Sequence, residues 1–469
     1  MSEQRVWSRR QWLQSTSCGF GYVALAALCH EAAAREGAAS ANPLAPRAPH
    51  FPPRAKHVIF MYMQGGPSHV DTFDYKPQLA KDADKSADQR GRRVWMPSPW
   101  KFRRRGQSGV WISDLFPHLA QHADQLCIIN GMYTDVPNHR AATVLLQTGE
   151  FRFVRPSMGA WINYGLGTEN QNLPGFVVLN PRVGDTLTYG SGFLPAPYQG
   201  TPVRLGAAPR RRNPRRRPTV PSPIPNLKNP YLDPDSQHKQ LELIQWMNRR
   251  RLQQDQVHPE LEGVIQSYEL AFRMQTTVPE LVDLSNESEK TLELYGVGPG
   301  KVTDRFGRQC LLARRLVENG VRFVMLNHGS WDQHRALRQR LGRNCQETDQ
   351  PIAALIADLK ARGLLEETLI VWCGEFGRTP HVQNNDGRDH NSRGFTAWMC
   401  GGGVRGGQHY GKTDPHGVEA VEDKVHIHDL HATILHLLGL DHKRLTFRFS
   451  GRDFRLTGVS GSVVQGIIG

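Results

Sequence analysis

Short apolar runs alternate with amphipathic segments along most of the chain. Apolar, β-rich runs predict buried strands at 56–63, 126–130, 176–179, 321–327, 368–375 and 395–403. Helical spacing with capping residues or a closing glycine predicts helices at 113–125, 140–149, 241–270, 305–320, 350–363 and 429–439. Such alternation of strands and helices predicts an α/β fold, with a mostly parallel central sheet sandwiched between helices.

The segment 1–41 has the pattern of an export signal. Arg9 and Arg10 precede an aromatic residue and Leu13, a short apolar run follows, and small residues close the segment. The arginine pair is typical of a twin-arginine signal, which predicts a periplasmic or extracellular protein. A basic amphipathic first helix is the alternative. The remainder, 42–469, is predicted to form a single domain.

Charge adds one further segment to this picture. The 469 residues include 58 Lys+Arg and 44 Asp+Glu, a formal net charge of +14. Six positive charges lie in RRRNPRRR, from Arg210 to Arg217, within a proline-rich insertion predicted to be irregular at about 200–226. This run predicts contact with a polyanion, or else a solvated loop. No aromatic residues interleave with it and no nucleic-acid-binding motif accompanies it, so no specific nucleic-acid recognition is predicted.

Two classes of protein do not fit the sequence. After the first thirty positions there is no apolar run of about 18 residues, so a transmembrane segment in the mature chain is not predicted. The absence of any CxxC spacing argues against a zinc–thiolate site or a redox motif. One disulfide is possible, without an assignable pairing, among the five cysteines that follow the predicted signal: Cys127, Cys310, Cys345, Cys373 and Cys400.

Acidic and histidine side chains follow several predicted strands, each beside a glycine. They are, in chain order, Asp71, Asp332, His334, Glu375, Asp389 and His390. Ligand sites in parallel sheets lie at the carboxyl ends of the strands. Carboxylates that converge there repel one another unless a cation lies between them. Mixed oxygen and nitrogen ligands suit zinc, manganese or magnesium, so the pattern predicts a divalent metal. Each segment by itself also fits an ordinary surface loop.

The motif set GGPSHVDTFD, HGSWDQH, GEFGRTP, GRDH and VHIHDLHATILHLLGLD resembles that of a secreted bacterial family. This family is domain of unknown function 1501, and it is similar to the sulfatases and phosphatases of the alkaline phosphatase superfamily. The resemblance extends over 56–469. It implies an alkaline phosphatase-like core, one or two divalent metal ions, and hydrolysis of phosphate or sulfate esters.

The resemblance also implies roles for particular residues. Asp71 would bind one metal, together with Glu375, while the second metal would have as ligands Asp332, His334 and His390. Asp389 would join the second site or orient it. Phe376 stands where the superfamily has a histidine and cannot bind a metal, so one ion or two remain open.

The superfamily places its nucleophile at the start of the helix predicted at 140–149, which here falls close to His139. The preceding residues lack the sulfatase pattern of Cys or Ser followed by x-Pro-x-Arg, so formylglycine chemistry is excluded. His139 would therefore be a nucleophile, a further ligand or a general acid/base, or else water attacks directly. Arg378 and Arg388 would clamp ester oxygens, or would pair with structural carboxylates.

These observations lead to two hypotheses. The first is an exported metal-dependent hydrolase of an anionic phosphate or sulfate ester. The second is a non-catalytic, metal-stabilised binding protein for anionic polysaccharide or another polyanion.

Overall fold

The computed structural model describes residues 42–83, 85–87, 93–182, 184–205, 231–255 and 259–469. The predicted export signal and the run from Arg210 to Arg217 lie outside these residues, and both remain predictions. Of the helices that are described, none is long and apolar enough to cross a membrane.

A nine-stranded sheet lies at the centre of the described chain. Its strands are β1 (His57–Met63), β2 (Leu126–Tyr133), β3 (Phe176–Leu179), β4 (Thr201–Val203), β5 (Phe323–His328), β6 (Thr368–Cys373), β7 (Phe395–Cys400), β8 (Gln408–Tyr410) and β9 (Val425–His426). Their spatial order is β8-β2-β7-β6-β1-β5-β3-β4, with β9 beside β2. Among these strands β7 runs antiparallel to its neighbours and the other pairs are parallel, which confirms the predicted mostly parallel sheet.

The sheet is covered on both faces. Every residue of β1, β6 and β7 is buried, although successive side chains of a strand point to opposite faces. The covering helices confirm the predicted sandwich. They are α1 (His69–Thr72), α2 (Pro77–Lys81), α3 (His139–Thr148), α4 (Met158–Leu166), α5 (Pro234–Asp255), α6 (Pro259–Val282), α7 (Glu289–Leu294), α8 (Asp304–Glu318), α9 (Leu337–Ala361) and α10 (Ile427–Leu437).

Small antiparallel hairpins complete the described structure. They pair Phe102–Arg105 with Val110–Ser113, Gly377–Arg378 with His390–Asn391, Lys412–Thr413 with Ala420–Glu422, and Phe447–Phe449 with Arg452–Phe454.

Strand register brings three chain segments to one edge of the sheet. Met63 of β1 lies opposite His328 of β5, and Tyr62 lies opposite Cys373 of β6. The loops that follow these strands therefore emerge side by side at the carboxyl edge, where the polar motifs were predicted to meet.

The segment 113–125 differs from its predicted helix. The chain forms a strand up to Ser113 and then a 3₁₀ helix over Leu119–Gln125. The carboxylate of Asp349, from α9, accepts the backbone N–H groups of His118 and Leu119 at 2.8 Å each. The amides at the start of this helix are thus satisfied by a distant side chain, and not by a cap at Ser113.

The prediction of an irregular insertion at about 200–226 is wrong for its first residues. Residues Thr201–Val203 form β4, which pairs in parallel with β3 at the edge of the sheet. Pro202 is compatible with an edge strand, because one side of such a strand needs no ladder hydrogen bonds. Residues 206–230 lie outside the described part of the chain.

The five cysteines that follow the predicted signal are free and buried. Burial raises the pKa of the Cys127 thiol to about 12, and that of Cys400 to about 12 as well. These thiols are therefore protonated at neutral pH and pack as small apolar side chains.

Candidate metal centre

Four side chains from three segments meet at the carboxyl edge of the sheet. Asp332 and His334 follow β5, His390 begins the second strand of the hairpin Gly377–Arg378/His390–Asn391, and His139 is the first residue of α3. One donor atom from each lies within 4.8 Å of the other three. We call these four residues the histidine–aspartate cluster. It contains three of the six predicted ligands, together with His139.

Two of the histidines in the cluster direct lone pairs at each other. His390 donates its Nδ1–H to the backbone oxygen of Pro137 at 2.8 Å, and His334 donates its own to the side-chain oxygen of Gln383 at 2.6 Å. A neutral ring protonated at Nδ1 presents a lone pair at Nε2. The two Nε2 atoms are nevertheless 2.9 Å apart. Such an arrangement is repulsive unless a proton or a metal cation lies between them.

His139 is arranged in the same way. Its Nδ1 lies 2.6 Å from a carboxylate oxygen of Glu375, and both oxygens of Glu375 accept the N–H of Gly65 at 3.0 Å. Its Nε2 is buried without a hydrogen bond, 3.2 Å from Oδ1 of Asp332. Burial opposes protonation of this ring, but the carboxylates of Asp332 and Glu375 raise the pKa of His139 to about 9. The site therefore favours a cation at this position.

Asp332 is the shared acceptor of the cluster. Its Oδ1 lies 3.0 Å from Nε2 of His334 and 3.5 Å from Nε2 of His390, and it also accepts a hydrogen bond from Arg378. Burial opposes ionisation of Asp332, but the neighbouring rings of His139 and His390 and the guanidinium of Arg378 hold the pKa of its carboxyl well below the usual range. Asp332 is thus an anion at any ordinary pH, as a metal ligand must be.

Arg378 is an internal residue. Its side chain is fully buried, and it donates to the backbone oxygens of Gly65, Gly66 and Arg388 as well as to Asp332. These contacts fit the second interpretation offered for the two arginines, pairing with a structural carboxylate. The clamp on ester oxygens is not the arrangement that the structure describes.

Asp71 and Arg388 form a second internal pair outside the cluster. Nε and one terminal nitrogen of Arg388 donate to the two carboxylate oxygens of Asp71 at 2.7 and 3.0 Å, and both side chains are fully buried. Ser68 donates a further hydrogen bond to Asp71 at 2.5 Å. The structure therefore does not bring Asp71 to the metal position predicted for it, because Arg388 already neutralises its charge. Nor does Arg388 face an open site.

The remaining predicted residues border the cluster. Glu375 contacts His139 and not the shared centre. Asp389 is more than half exposed, and its carboxylate lies 3.8 Å from Nδ1 of His334, on the side away from the converging lone pairs. Phe376 is buried with its ring 4.8 Å from that of His139 and 4.6 Å from that of His390. An apolar ring thus occupies the space that a second set of ligands would need.

The donor set fits a divalent transition metal. Zinc binds imidazole nitrogen at about 2.0–2.1 Å, which puts the ligand atoms of a tetrahedral site roughly 3.3 Å apart. The cluster spans distances from 2.9 Å up to its 4.8 Å limit, so small shifts of the side chains would complete such a site. Each ring also has a hydrogen-bond acceptor at its other nitrogen, the outer arrangement typical of metal-binding histidines.

A cleft of about 1140 Å³ opens beside the cluster. His139 and Asp332 are part of its lining, together with five exposed basic residues: Arg182, Arg204, Lys301, Arg305 and Arg343. A substrate in this cleft would contact the cluster from one side.

A family model matches residues 55–468 of the chain, and its description is "Protein of unknown function (DUF1501)". The chain belongs to the DUF1501 family. The family predicted from the motifs is therefore confirmed. A comparison with curated proteins finds no match for this member of the family.

Several solved structures are similar to this DUF1501 protein. The PsFucS1 sulfatase from Pseudoalteromonas sp. is 12% identical, with 82% of this chain and 68% of that chain covered and a TM-score of 0.35. The phosphonate monoester hydrolase SpPMH from Silicibacter pomeroyi is 10% identical, with 82% and 73% covered and a TM-score of 0.35. A TAB5 alkaline phosphatase variant with magnesium bound is 10% identical, with 74% and 92% covered and a TM-score of 0.31. These TM-scores are low, so the architecture above rests on the observed strand order.

Sequence reasoning missed some residues around the site. Arg182 is the third residue after β3 and Arg204 comes directly after β4, so a search for basic residues at strand ends would have found them. Pro137 and Gln383 fix the orientation of His390 and His334. No local signal marks these two, because one acts through its backbone oxygen and both act across the fold.

Proposed function

We propose that this DUF1501 protein is a metal-dependent hydrolase of phosphate or sulfate esters. The observation that carries the proposal is the convergence of the Nε2 atoms of His139, His334 and His390 on Oδ1 of Asp332, while each Nδ1 atom contacts an oxygen on the outside of the cluster. Three imidazoles and one carboxylate are a common ligand set for zinc and related divalent ions.

The chain's own residues prepare this site for an anionic ester. A divalent ion held here would withdraw charge from ester oxygens and lower the pKa of water to about 7. Arg378 fixes Asp332, and Glu375 holds the His139 ring with Nε2 turned inward. In the proposed reaction, water forms a new bond to phosphorus or sulfur, the bond to the ester oxygen breaks, and the released alcohol takes up the proton that water loses.

We assign His139 to metal binding and not to nucleophilic attack. A nucleophile must point at the substrate, but Nε2 of His139 points at Asp332, and its other nitrogen contacts Glu375. Thr143, one turn further along α3, shares a hydrogen bond of 2.5 Å with the hydroxyl of Tyr62. Direct attack by water, one of the alternatives that the sequence left open, therefore fits the contacts best.

The proposed site holds one ion. Glu375 contacts His139 and Gly65, Asp71 contacts Arg388 and Ser68, and the ring of Phe376 packs against the rings of His139 and His390. A second metal in the predicted position would have to displace the buried pair of Asp71 and Arg388.

We also propose that 1–41 directs export through the twin-arginine route, since the arginine pair and the short apolar run support it. N-terminal sequencing of protein recovered from outside the cytoplasm tests this. Replacement of Arg9 and Arg10 by lysine should leave the protein inside. Normal export of that variant would contradict the proposal.

Metal content and turnover test the function together. Wild type, Asp332→Asn, His390→Ala and the neighbouring control Asp389→Asn would be purified, and their bound metal measured by mass spectrometry. Hydrolysis of aryl sulfate, aryl phosphate and aryl phosphonate esters would be followed in each. We expect one ion per chain in wild type and in the control, and metal and turnover lost in the other two.

Two results would overturn the proposal. A folded wild-type protein that binds no metal after resupply would remove the metal centre. One that binds its ion but hydrolyses no ester of any of the three classes would favour the alternative, a metal-stabilised binding protein for a polyanion.

A further inference from the structure

The cleft beside the histidine–aspartate cluster carries more positive charge than its own carboxylates neutralise. Arg182, Arg204, Lys301 and Arg305 are exposed and line it, and among the described residues none of these four has a carboxylate within ion-pair distance. Like charges gathered in one concave surface raise the local concentration of anions.

These four basic residues belong to three separate segments of the chain. Arg182 and Arg204 follow β3 and its neighbour β4, the edge strand, at the same carboxyl edge of the sheet as the cluster. Lys301 and Arg305 come from the segment that leads into α8 and from its first turn. Their convergence is a property of the fold, since Arg182 and Lys301 are far apart in the chain.

The carboxylates nearby already have partners. Glu347 contacts His328 at 3.1 Å and Arg343 at 2.8 Å, and Asp304 accepts two hydrogen bonds from Arg308 at 3.0 and 3.1 Å. Burial raises the pKa of Asp185, although Arg182 and Arg140 oppose this. Among the described residues, no carboxylate is therefore close enough to form an ion pair with Arg204, Lys301 or Arg305.

One neutral donor in the cleft also lacks an acceptor. Asn180, the residue after β3, has a left-handed backbone (φ 49°), and its Oδ1 accepts the N–H of Leu205 at 2.8 Å. Its Nδ2 is buried and has no hydrogen-bond partner among the described residues. Asn180 is part of the lining of the cleft, as Arg182 is.

We propose that Arg182, Arg204, Lys301 and Arg305 form a binding subsite for a second anionic group of the substrate. The inference rests on the proposed function and adds a substrate class to it: a carbohydrate that carries several sulfate or phosphate groups. One ester group is hydrolysed at the cluster while another is held in this basic subsite.

The size and lining of the cleft support a carbohydrate. Its volume of about 1140 Å³ exceeds the range of about 300–1,000 Å³ that is usual for small-ligand sites. The partly exposed amide side chains of Gln64 and Asn327 line it, and such groups can bind sugar hydroxyls. Phe306 is the aromatic residue in its lining and is buried, so the cleft lacks the exposed stacking surface that single-stranded nucleic acid requires.

Calorimetric titration with sucrose octasulfate tests the subsite. The variant Arg204→Gln/Arg305→Gln would be compared with wild type and with Lys424→Gln/Arg444→Gln, which removes the same charge from exposed positions outside the cleft. We expect the dissociation constant to rise about 100-fold or more in the cleft variant, as for the loss of two charge-assisted hydrogen bonds. Equal weakening in the control, or no weakening in either, would overturn the proposal.

Two further measurements distinguish anion binding at the basic subsite from ester hydrolysis at the cluster. The variant Asp332→Asn should lose the proposed metal but keep the basic subsite. It should therefore still bind sucrose octasulfate while it hydrolyses no ester. If wild type binds the probe yet hydrolyses nothing, the subsite stands and the hydrolase proposal fails. An oligothymidylate of equal charge that binds more tightly than sucrose octasulfate would contradict the carbohydrate assignment.

Discussion

Glu375 and His139 are joined by a 2.6 Å contact that fixes which nitrogen of the imidazole faces the cluster. The buried Glu375 is held in turn by the N–H of Gly65, which contacts both of its oxygens at 3.0 Å. The relationship links the loops after β1 and β6 to the first residue of α3. It gives the His139 ring the orientation that the proposed metal binding requires.

Replacement of Glu375 by glutamine should weaken metal binding while the fold is retained. A neutral amide is a poorer acceptor for the Nδ1–H of His139, and loss of such outer partners typically lowers metal affinity about 10- to 100-fold. Zinc titration of the metal-free protein measures the effect. Glu422→Gln, an exposed carboxylate paired with Lys412, is the control and should bind zinc as wild type does. Unchanged affinity in Glu375→Gln would show that the contact does not orient His139.

Asp71→Asn should lower stability but leave the metal in place. It breaks a fully buried ion pair and leaves Arg388 uncompensated, a change that typically costs about 3–5 kcal/mol. Urea unfolding would give the change in free energy, and mass spectrometry the metal content of the same sample. A folded Asp71→Asn protein that has lost its metal would instead support the ligand role that the motif implied.

Gly65→Ala should disrupt the cluster through the backbone. Gly65 has φ 119°, and a Cβ there would lie 2.5 Å from the backbone nitrogen of Asp332. Metal content should therefore fall together with thermal stability. Gly363→Ala is the matched control, because Gly363 also has a positive φ, 70°, but has no atom within 4 Å of an added Cβ. Metal lost equally in both variants would point to general destabilisation and not to the loop that holds Asp332.

Protonation of His431 should lower the stability of the folded protein as the pH falls. Its ring is fully buried and Nε2 bonds the backbone oxygen of Leu146 at 2.7 Å. Burial lowers its pKa from 6.5 to about 3. The unfolded chain therefore binds the proton first, so this contribution to stability is intact above pH 6.5 and is lost as pH falls toward 3.

His431→Gln tests this pH dependence, because glutamine keeps an N–H donor but does not titrate. The melting temperature of the variant should fall less steeply than that of wild type between pH 6.5 and 4. His57 and His69 are also buried with lowered pKa values and remain in the variant, so part of the acid sensitivity should persist. An identical slope in both proteins would contradict the assignment.

The sequence by itself determined the fold class and most of the elements. The runs 58–63 and 369–373 are apolar throughout, as is typical of strands buried on both faces, and this pattern does not depend on which strand lies beside them. The glycines at the end of α3 and in the loops before the cluster could also be predicted from the sequence, because a positive φ favours glycine wherever it occurs. The same reasoning placed Asp332, His334 and His390 at the carboxyl edge.

Only the tertiary structure decided what each charged residue contacts. Asp71 and Asp332 both follow strands beside glycine, yet Asp71 is neutralised by Arg388 and Asp332 faces three histidines. The partners come from distant segments, and a difference of a few ångströms separates an ion pair from a metal ligand. The proposed basic subsite of Arg182, Arg204, Lys301 and Arg305 also depends on the tertiary structure, because its charges come together only when β3, β4 and α8 are assembled.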